Sequence, residues 1–200
     1  MSSAWTGERV LLRGIEPGDW QTFKEFDEHA PDMRSGDMLH PPQSDEAYRR
    51  WTADEAARRP DADSDSYRLA IVSRKDGTMV GTLNTGDADR RAGRFAYGVS
   101  IGHRYKRSGY ATEAVVLMLR FMFGERRFHK CEIGVYAFNE PSIALHRKLG
   151  FVTEGRLRDH EYFGGRHHDL VLMGLTAEEF NARHAFLSVD SPVHASSAGD

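Results

Sequence analysis

Between residues 95 and 155, strand patterns and helix patterns follow one another in turn, and this order restricts the chain to few folds. Bulky residues alternate with small ones from Phe95 to Ile101, which is the two-residue period of a β-strand. Apolar residues recur at helical spacing after Gly109, residues 131–135 form a second strand pattern, and a second helix pattern runs from Asn139 to Gly150. We therefore expect an α/β (α+β) fold in which a mixed sheet carries helices on its faces.

Weaker signals place further elements on either side of this region. Pro17-Gly18-Asp19 predicts a turn before a helix that starts near Trp20, with Asp19 as its N-cap. Asp76-Gly77 predicts a hairpin with a two-residue turn. The other predicted elements are a strand over 8–13, loops over 30–66 around a helix near 45–58, hairpin strands over 69–72 and 79–83, and strands from 151 and over 170–175 joined at Gly164-Gly165.

Length and composition exclude several classes of protein. The 200 residues fit one domain, and no apolar run approaches the roughly 20 residues that cross a bilayer. Residues 1–6 have neither a basic start nor an apolar stretch, and Cys131 is the only cysteine, so we expect a cytoplasmic protein without membrane contact. A formal net charge of -3 argues against a nucleic-acid partner. Residues 188–200 are small and polar, which predicts a disordered tail.

Charge is distributed unevenly along the chain. Residues 25–65 hold twelve Asp and Glu but five Arg, whereas residues 101–130 hold seven Arg and Lys but two Glu. The first segment is expected to favour a cationic substrate and the second an anion, because opposite charge raises the local concentration of a ligand. The alternative is that both segments are solvated surface.

The basic stretch Arg104–Ala114 lies where a strand pattern passes into a helix pattern. A helix N-terminus has unpaired backbone N–H groups and the positive end of the helix dipole, so it binds phosphate oxygens. Gly109 allows close approach of the backbone, and Lys106 and Arg107 add positive charge. Neither G-x-x-x-x-G-K-[ST] nor G-x-G-x-x-G is present, so this is not the phosphate loop of a nucleotide hydrolase or a dinucleotide-binding fold.

Two motifs in this region resemble those of the GCN5-related N-acetyltransferases (GNAT). Lys106–Ala111 matches that family's pyrophosphate loop, [Q/R]-x-x-G-x-[G/A], with Lys in place of Gln or Arg. Asn139–Phe151 is similar to N-x-x-S-x-x-L-Y-x-K-x-G-F, with His146 in place of Tyr. Segments 8–13 and 164–169 resemble the ribosomal-protein N-terminal acetyltransferase branch of the family, a branch whose relatives also modify small amines and antibiotics. The resemblance covers residues 8–180, the predicted N-acetyltransferase domain.

The resemblance implies a mostly antiparallel sheet with one splayed pair of strands, and acetyl-coenzyme A (acetyl-CoA) as co-substrate. It also implies that the strand before the loop binds the pantetheine arm through its backbone, which polarises the thioester carbonyl. The residues expected to bind acetyl-CoA are Val99, Ser100, Ile101, Lys106, Arg107, Ser108, Gly109, Tyr110, Ala111, Thr112, Asn139, Ser142 and His146.

The resemblance leaves the residues that transfer protons open. Many relatives carry a Glu as base on the splayed strand, but the matching position here is Ala96. Glu132, Asp169 or a residue of the acidic segment is a candidate base, and loss of the proton to solvent is the alternative. We predict His146 as the general acid that protonates the departing thiolate, the alternative being a histidine that only lines the pocket. Cys131 is a poor candidate nucleophile because it lies in an apolar strand, two residues from Ile133.

Two clusters of side chains toward the C-terminus have the chemistry of a metal site or an acceptor pocket. His160, His167, His168 and Asp169 carry metal-binding atoms, but adjacent strand residues point to opposite faces and no zinc spacing is present, so we expect no metal. Tyr136, Tyr162 and Phe163 can shape an acceptor pocket, although aromatic residues on strands are commonly core.

The sequence therefore predicts direct acetyl transfer from acetyl-CoA to a primary amine, either a peptide or protein N-terminus or a small cationic amine. A non-catalytic acyl-CoA-binding sensor or recruitment module is the alternative. An RNA-associated or ribosome-associated role is a third possibility, resting on the branch and on Arg126, Arg127 and Lys130. A homodimer is a possible assembly.

Overall fold

Seven β-strands form a single sheet in the computed structural model, which describes residues 3–36, 38–58 and 64–184. The strands are β1 (Val10–Arg13), β2 (Arg68–Ser73), β3 (Met79–Asp89), β4 (Arg94–Ile101), β5 (Lys130–Tyr136), β6 (Val152–Phe163) and β7 (Arg166–Thr176). Their order across the sheet is β1-β2-β3-β4-β5-β7-β6. The predicted tail 188–200 lies outside the described residues.

The pairing of β4 with β5 differs from every other pairing in the sheet. These two strands are parallel and pair only at Arg94 with Lys130 and at Phe95 with Cys131, whereas all other neighbours are antiparallel. After Phe95, β4 keeps its partner β3 but has no strand partner on the β5 side. The predicted mixed, mostly antiparallel sheet with a splayed pair of strands is confirmed.

Helices cover both faces of the sheet. The helices are α1 (Trp20–Glu28), α2 (Ala30–Ser35), α3 (Asp45–Ala57), α4 (Tyr110–Arg120), α5 (Glu140–Leu149) and α6 (Ala177–His184). On one face, the apolar stripe of α4 packs on the sheet, and its Ala114, Val115 and Met118 are fully buried. On the other face, Phe23 of α1 and Tyr48 of α3 pack against Ala70. None of these described helices is long and apolar enough to cross a bilayer.

Several local predictions are confirmed, and others need correction. Gly77 has φ +74°, as expected of a turn glycine, but the hairpin connection is longer than two residues because β2 ends at Ser73 and β3 begins at Met79. Asp19 precedes α1 without capping it, since its carboxylate accepts hydrogen bonds from Arg13 and from the backbone N–H of Glu16. The short helix α2 lies in a region predicted as loop, and α6 was not predicted.

Candidate active site

A cavity of about 940 Å³ opens where β4 and β5 diverge. Its walls come from five parts of the chain: the end of β4, the loop that leads into α4, α2 with the residues after it, the start of α5, and the tip of the β6–β7 hairpin. A cavity of this size is typical of small-molecule sites. It contains every residue predicted to bind acetyl-CoA except His146.

The loop before α4 has the backbone geometry of an anion-binding site. Arg107 and Gly109 both adopt positive φ, at +63° and +81°, and α4 begins directly afterwards at Tyr110. The first backbone hydrogen bond of the helix runs from the N–H of Glu113 to the carbonyl of Gly109. Within the part of the chain that the structure describes, no hydrogen bond satisfies the preceding N–H groups of the first turn, and phosphate oxygens suit them.

The N-terminal segment holds this loop in place. The Glu113 carboxylate accepts hydrogen bonds from the backbone N–H groups of Glu8, Arg9 and Val10, at 2.7 to 2.8 Å. Arg9 Nη1 in turn donates to the carbonyl of Ser108 at 3.1 Å. The predicted strand at the start of the chain therefore supports the loop that is predicted to bind pyrophosphate.

The end of β4 forms one long wall of the cavity. Val99, Ser100 and Ile101 line it, and the β4 edge that faces β5 has no strand partner here. Buried backbone polar groups are satisfied in native proteins, so this edge can pair with an extended, amide-containing ligand. Pantetheine is such a ligand, and the anion-binding loop at the end of the same strand fits the pyrophosphate to which it is joined.

Ion pairs join the loop before α4 to the helices α1 and α2. The ammonium group of Lys106 contacts the carboxylate of Asp32 on α2, and Arg104 pairs with Glu25 on α1 at 3.1 Å. Lys106 thus lies at the cavity, as predicted, but already has a carboxylate partner.

Asn139 joins α5 to α2. Its side-chain oxygen accepts a hydrogen bond from the N–H of Ser142 and so caps α5, which confirms the predicted cap. Its amide nitrogen donates to the carbonyl of Ser35, the last residue of α2, at 3.5 Å. Ser142 also lines the cavity, one turn before His146.

His146 lies behind the cavity wall. It is 4% exposed, and its ring packs against the rings of Tyr97 and Phe151. Its Nδ1 lies 2.7 Å from the carbonyl oxygen of Ser142, and because that oxygen only accepts, Nδ1 carries the proton. Burial lowers the pKa of His146, against the raising effect of this hydrogen bond. The neutral ring then has its lone pair on Nε2, and its one N–H proton is donated to the carbonyl of Ser142.

The candidate bases lie away from the cavity. Glu132 pairs with Arg94 at 3.1 Å and with Lys130 at 3.2 Å, and these cations lower its pKa although partial burial raises it. The carboxylate of Asp169 accepts from the N–H of Asp159 and pairs with Arg156, which lowers its pKa. The structure brings neither carboxylate to the lining of the cavity.

Cys131 is buried at the point where β4 and β5 still pair. Burial raises the pKa of its thiol well above the usual value, and Glu132 adds to this effect. A protonated, buried thiol is a poor nucleophile.

The far end of the cavity contains residues that the sequence did not mark as a group. Phe138, Phe163 and His168 form a contiguous aromatic wall, with Phe163 and His168 stacked at 4.2 Å and Phe138 edge-on to His168 at 4.9 Å. Arg34 of α2 and Arg166 of β7 line the cavity beside them. Phe163 is one of the residues predicted to shape an acceptor pocket. Tyr162, another of them, does not line the cavity and is 64% exposed. Among the described residues, no group of three or more His, Cys, Asp or Glu is arranged to hold a metal.

A sheet that splays beside an anion-binding helix N-terminus defines a coenzyme A-dependent acyltransferase. Residues 9–152 match the model of the acetyltransferase (GNAT) domain, and the chain belongs to this family. It is an acetyl-CoA-dependent N-acetyltransferase.

Known proteins of similar sequence and structure agree with this assignment. The chain is 37% identical to the SPbeta prophage-derived uncharacterized N-acetyltransferase YokL of Bacillus subtilis (strain 168), over 90% of this chain and 97% of that protein. It is 27% identical to the putative ribosomal N-acetyltransferase YdaF of the same organism, over 90% and 98%. The crystal structure of spermidine N-acetyltransferase from Vibrio cholerae in complex with CoA and spermine superposes with a TM-score of 0.73 at 18% identity, covering 87% of this chain and 99% of that one. At this identity the likeness concerns the fold.

Proposed function

We propose that the chain transfers an acetyl group from acetyl-CoA directly to a primary amine while both substrates occupy the cavity. The observation that carries this proposal is the continuity of one cavity from the anion-binding loop, along the unpaired edge of β4, to the aromatic wall. The loop before α4 and the end of β4 bind acetyl-CoA. The aromatic end leaves room for a second substrate next to the thioester.

In this arrangement Lys106–Thr112 hold the pyrophosphate and Val99–Ile101 hold the pantetheine arm. A backbone N–H on the free edge of β4 stabilises the negative charge that develops on the thioester oxygen when the amine attacks. A preformed donor of this kind contributes about 3 to 4 kcal/mol in the transition state of other acyl transfers. The transfer needs no acyl-enzyme, in keeping with the burial of Cys131.

No side-chain base is assigned to the amine. Asp32 is the only Asp or Glu among the described residues that line the cavity, and it pairs with Lys106. We propose that the acceptor loses its proton to water before it attacks. The rate should then rise with pH until the bound amine is fully neutral.

The general-acid role of His146 stays a prediction from its motif position, and the geometry argues against it. A proton for the thiolate would have to come from an imidazolium, which burial disfavours. We propose instead that neutral His146 positions Ser142, whose carbonyl it holds, and so shapes the cavity wall.

We place the chain in the ribosomal-protein N-terminal acetyltransferase branch. Support comes from segments 8–13 and 164–169 and from the similarity to YdaF. The first segment supports the pyrophosphate loop through Arg9, and the second forms the tip of the β6–β7 hairpin at the cavity. We propose residues 8–180 as the catalytic domain and keep a homodimer as a possible assembly.

The proposed reaction is tested by release of free CoA thiol from acetyl-CoA across a panel of primary amines, with acetylated products identified by mass spectrometry. We expect thiol release that depends on the amine and rises with pH. Binding of acetyl-CoA by calorimetry without thiol release from any amine would contradict the proposal and favour the acyl-CoA sensor.

A further inference from the structure

We propose that the acceptor amine carries an anionic group, a carboxylate or a phosphate, which Arg34 and Arg166 bind at the far end of the cavity. This inference rests on the proposed function, because it concerns the second substrate of the same reaction. It assigns the two arginines to substrate recognition and not to the chemical step.

The two arginines come from distant parts of the chain and line the same cavity. Arg34 lies on α2 and Arg166 is the first residue of β7, and both line the cavity. The Arg34 Nη1 atom lies 4.0 Å from the position that a Cβ atom at Gly164 would occupy, so its guanidinium reaches the hairpin tip that carries Arg166. Asn139 fixes the end of α2 through its hydrogen bond to Ser35, next to Arg34.

Neither guanidinium is neutralised by the rest of the described chain. Within residues 3–36, 38–58 and 64–184, no ion pair within 4 Å joins Arg34 or Arg166 to an Asp or Glu. This contrasts with Lys106, which is paired with Asp32. Two arginines that share a wall and have no carboxylate partner favour a bound anion, because guanidinium groups bind carboxylate and phosphate through paired hydrogen bonds.

The charges that line the cavity support the same conclusion. Its described lining contains one acidic residue, Asp32, against five lysines and arginines. Lys106 and Arg107 belong to the pyrophosphate loop, and Lys148 lies on α5. The phosphates of the coenzyme account for the loop cations but leave the pair at the hairpin tip for the other substrate.

This result changes the interpretation of the acidic segment 25–65. Several of its carboxylates are held in pairs elsewhere: Glu25 with Arg104, Asp45 with Lys24, and Asp65 with Arg90 and Arg126. Among the described residues of the segment, Asp32 alone brings negative charge to the cavity lining. The described carboxylates of this segment therefore give no support to a cationic acceptor.

The aromatic wall indicates the rest of the acceptor. Phe138, Phe163 and His168 lie beside the two arginines, and His168 Nε2 is 3.2 Å from the carbonyl of Phe163, which fixes the ring. An apolar or planar body attached beside the amine and the anion suits these rings. The acceptor class is thus a primary amine with an apolar body and an anionic group, such as an amino acid.

The test compares acceptors that differ in the anionic group, with kcat/KM expressed per neutral amine because the anion also raises the pKa of the amine. L-phenylalanine is compared with its amide, phosphoethanolamine with ethanolamine, and spermidine represents polyamines. We expect the anionic member of a pair to have the higher kcat/KM. A higher value for L-phenylalanine than for its amide indicates a carboxylate ligand, and a higher value for phosphoethanolamine than for ethanolamine indicates a phosphate ligand. Higher kcat/KM for spermidine or for both neutral partners would overturn the inference while leaving the proposed function intact.

Substitution locates the effect. Arg34→Gln and Arg166→Gln should each raise the KM of the anionic acceptor at least 10-fold, with little change in kcat or in the reaction of its neutral partner. Arg91 is an exposed arginine away from the cavity, so Arg91→Gln is a control with the same loss of charge. It should change neither the KM of the anionic acceptor nor kcat. A raised Kd for acetyl-CoA, measured by calorimetry in the two variants, would assign the arginines to the coenzyme and overturn the inference. Absence of thiol release with every amine would overturn the proposed function as well.

Discussion

Replacement of Gly109 by valine tests whether the loop before α4 anchors acetyl-CoA. Gly109 has φ +81°, and a Cβ atom there would lie 2.8 Å from Arg9 Nη1. A side chain would therefore be strained by the backbone and would also displace the arginine that holds the carbonyl of Ser108. The strain of a left-handed conformation costs about 1 to 2 kcal/mol for a residue with a Cβ.

Gly77 provides a matched control for this strain. It has φ +74° in the β2–β3 connection, no atom lies within 4 Å of its Cβ position, and it does not line the cavity. Gly77→Val should thus lose the stability that the backbone strain costs, and Gly109→Val should lose at least as much because it also displaces Arg9. For a domain of this size, 1 to 2 kcal/mol corresponds to a fall in Tm of about 2 to 8 °C.

Only Gly109→Val should weaken coenzyme binding. A hydrogen bond to a charged group contributes about 1.5 to 3 kcal/mol, so the loss of one phosphate contact raises Kd about 10- to 150-fold. Calorimetric titration with acetyl-CoA measures Kd, and thermal unfolding of the same samples measures stability. Equal affinity in the two variants would refute the assignment of the pyrophosphate to this loop.

Three further predictions concern the mechanism and the domain. If His146 only positions Ser142, the ratio of the wild-type rate to the His146→Ala rate should be independent of pH. If His146 is instead a general acid, its pKa lies below the usual value and the imidazolium is lost as the pH rises. The ratio should then fall about tenfold per pH unit above pH 6.5. Cys131→Ala should retain kcat, and no acetylated enzyme should be found by mass spectrometry after incubation with acetyl-CoA alone; an acetyl adduct on Cys131 would show a covalent route. A chain that ends at residue 188 should fold and acetylate, because residues 189–200 offer little apolar surface to offset the entropy of ordering; loss of the cooperative unfolding transition would show otherwise.

Features encoded by neighbouring residues were predictable from the sequence. The loop that leads into α4 is a run of neighbouring residues, 106–111, and the Asn139 cap and Gly150 end of α5 each depend on one local conformation. The missed helix α6 had such a signal as well. Thr176 and Glu179 exchange hydrogen bonds as a capping box, in the T-x-x-E pattern that marks a helix start. The helix α2 was read as loop because of Pro31, although proline is tolerated in the first turn of a helix.

The acceptor end of the cavity was not predictable in this way, because its residues are far apart in sequence. Arg34 and Arg166 line the same cavity only once α2 and the tip of the β6–β7 hairpin form parts of its wall. Each residue taken alone is an exposed arginine in a polar segment. Their significance depends on tertiary contacts such as the Asn139 to Ser35 hydrogen bond, which no local pattern reveals.

His146 shows a different limit of motif reasoning. The motif correctly places this residue on α5, one turn after Ser142, but the properties that decide proton transfer come from the surroundings of the ring. Burial against Tyr97 and Phe151 removes water, which favours the neutral form, and the carbonyl of Ser142 takes the Nδ1 proton as a hydrogen bond. A tyrosine at the same position would keep its own proton at neutral pH, since the usual pKa of a phenol is about 10. Exchange of tyrosine for histidine therefore preserves the position in the motif while changing which group can donate a proton.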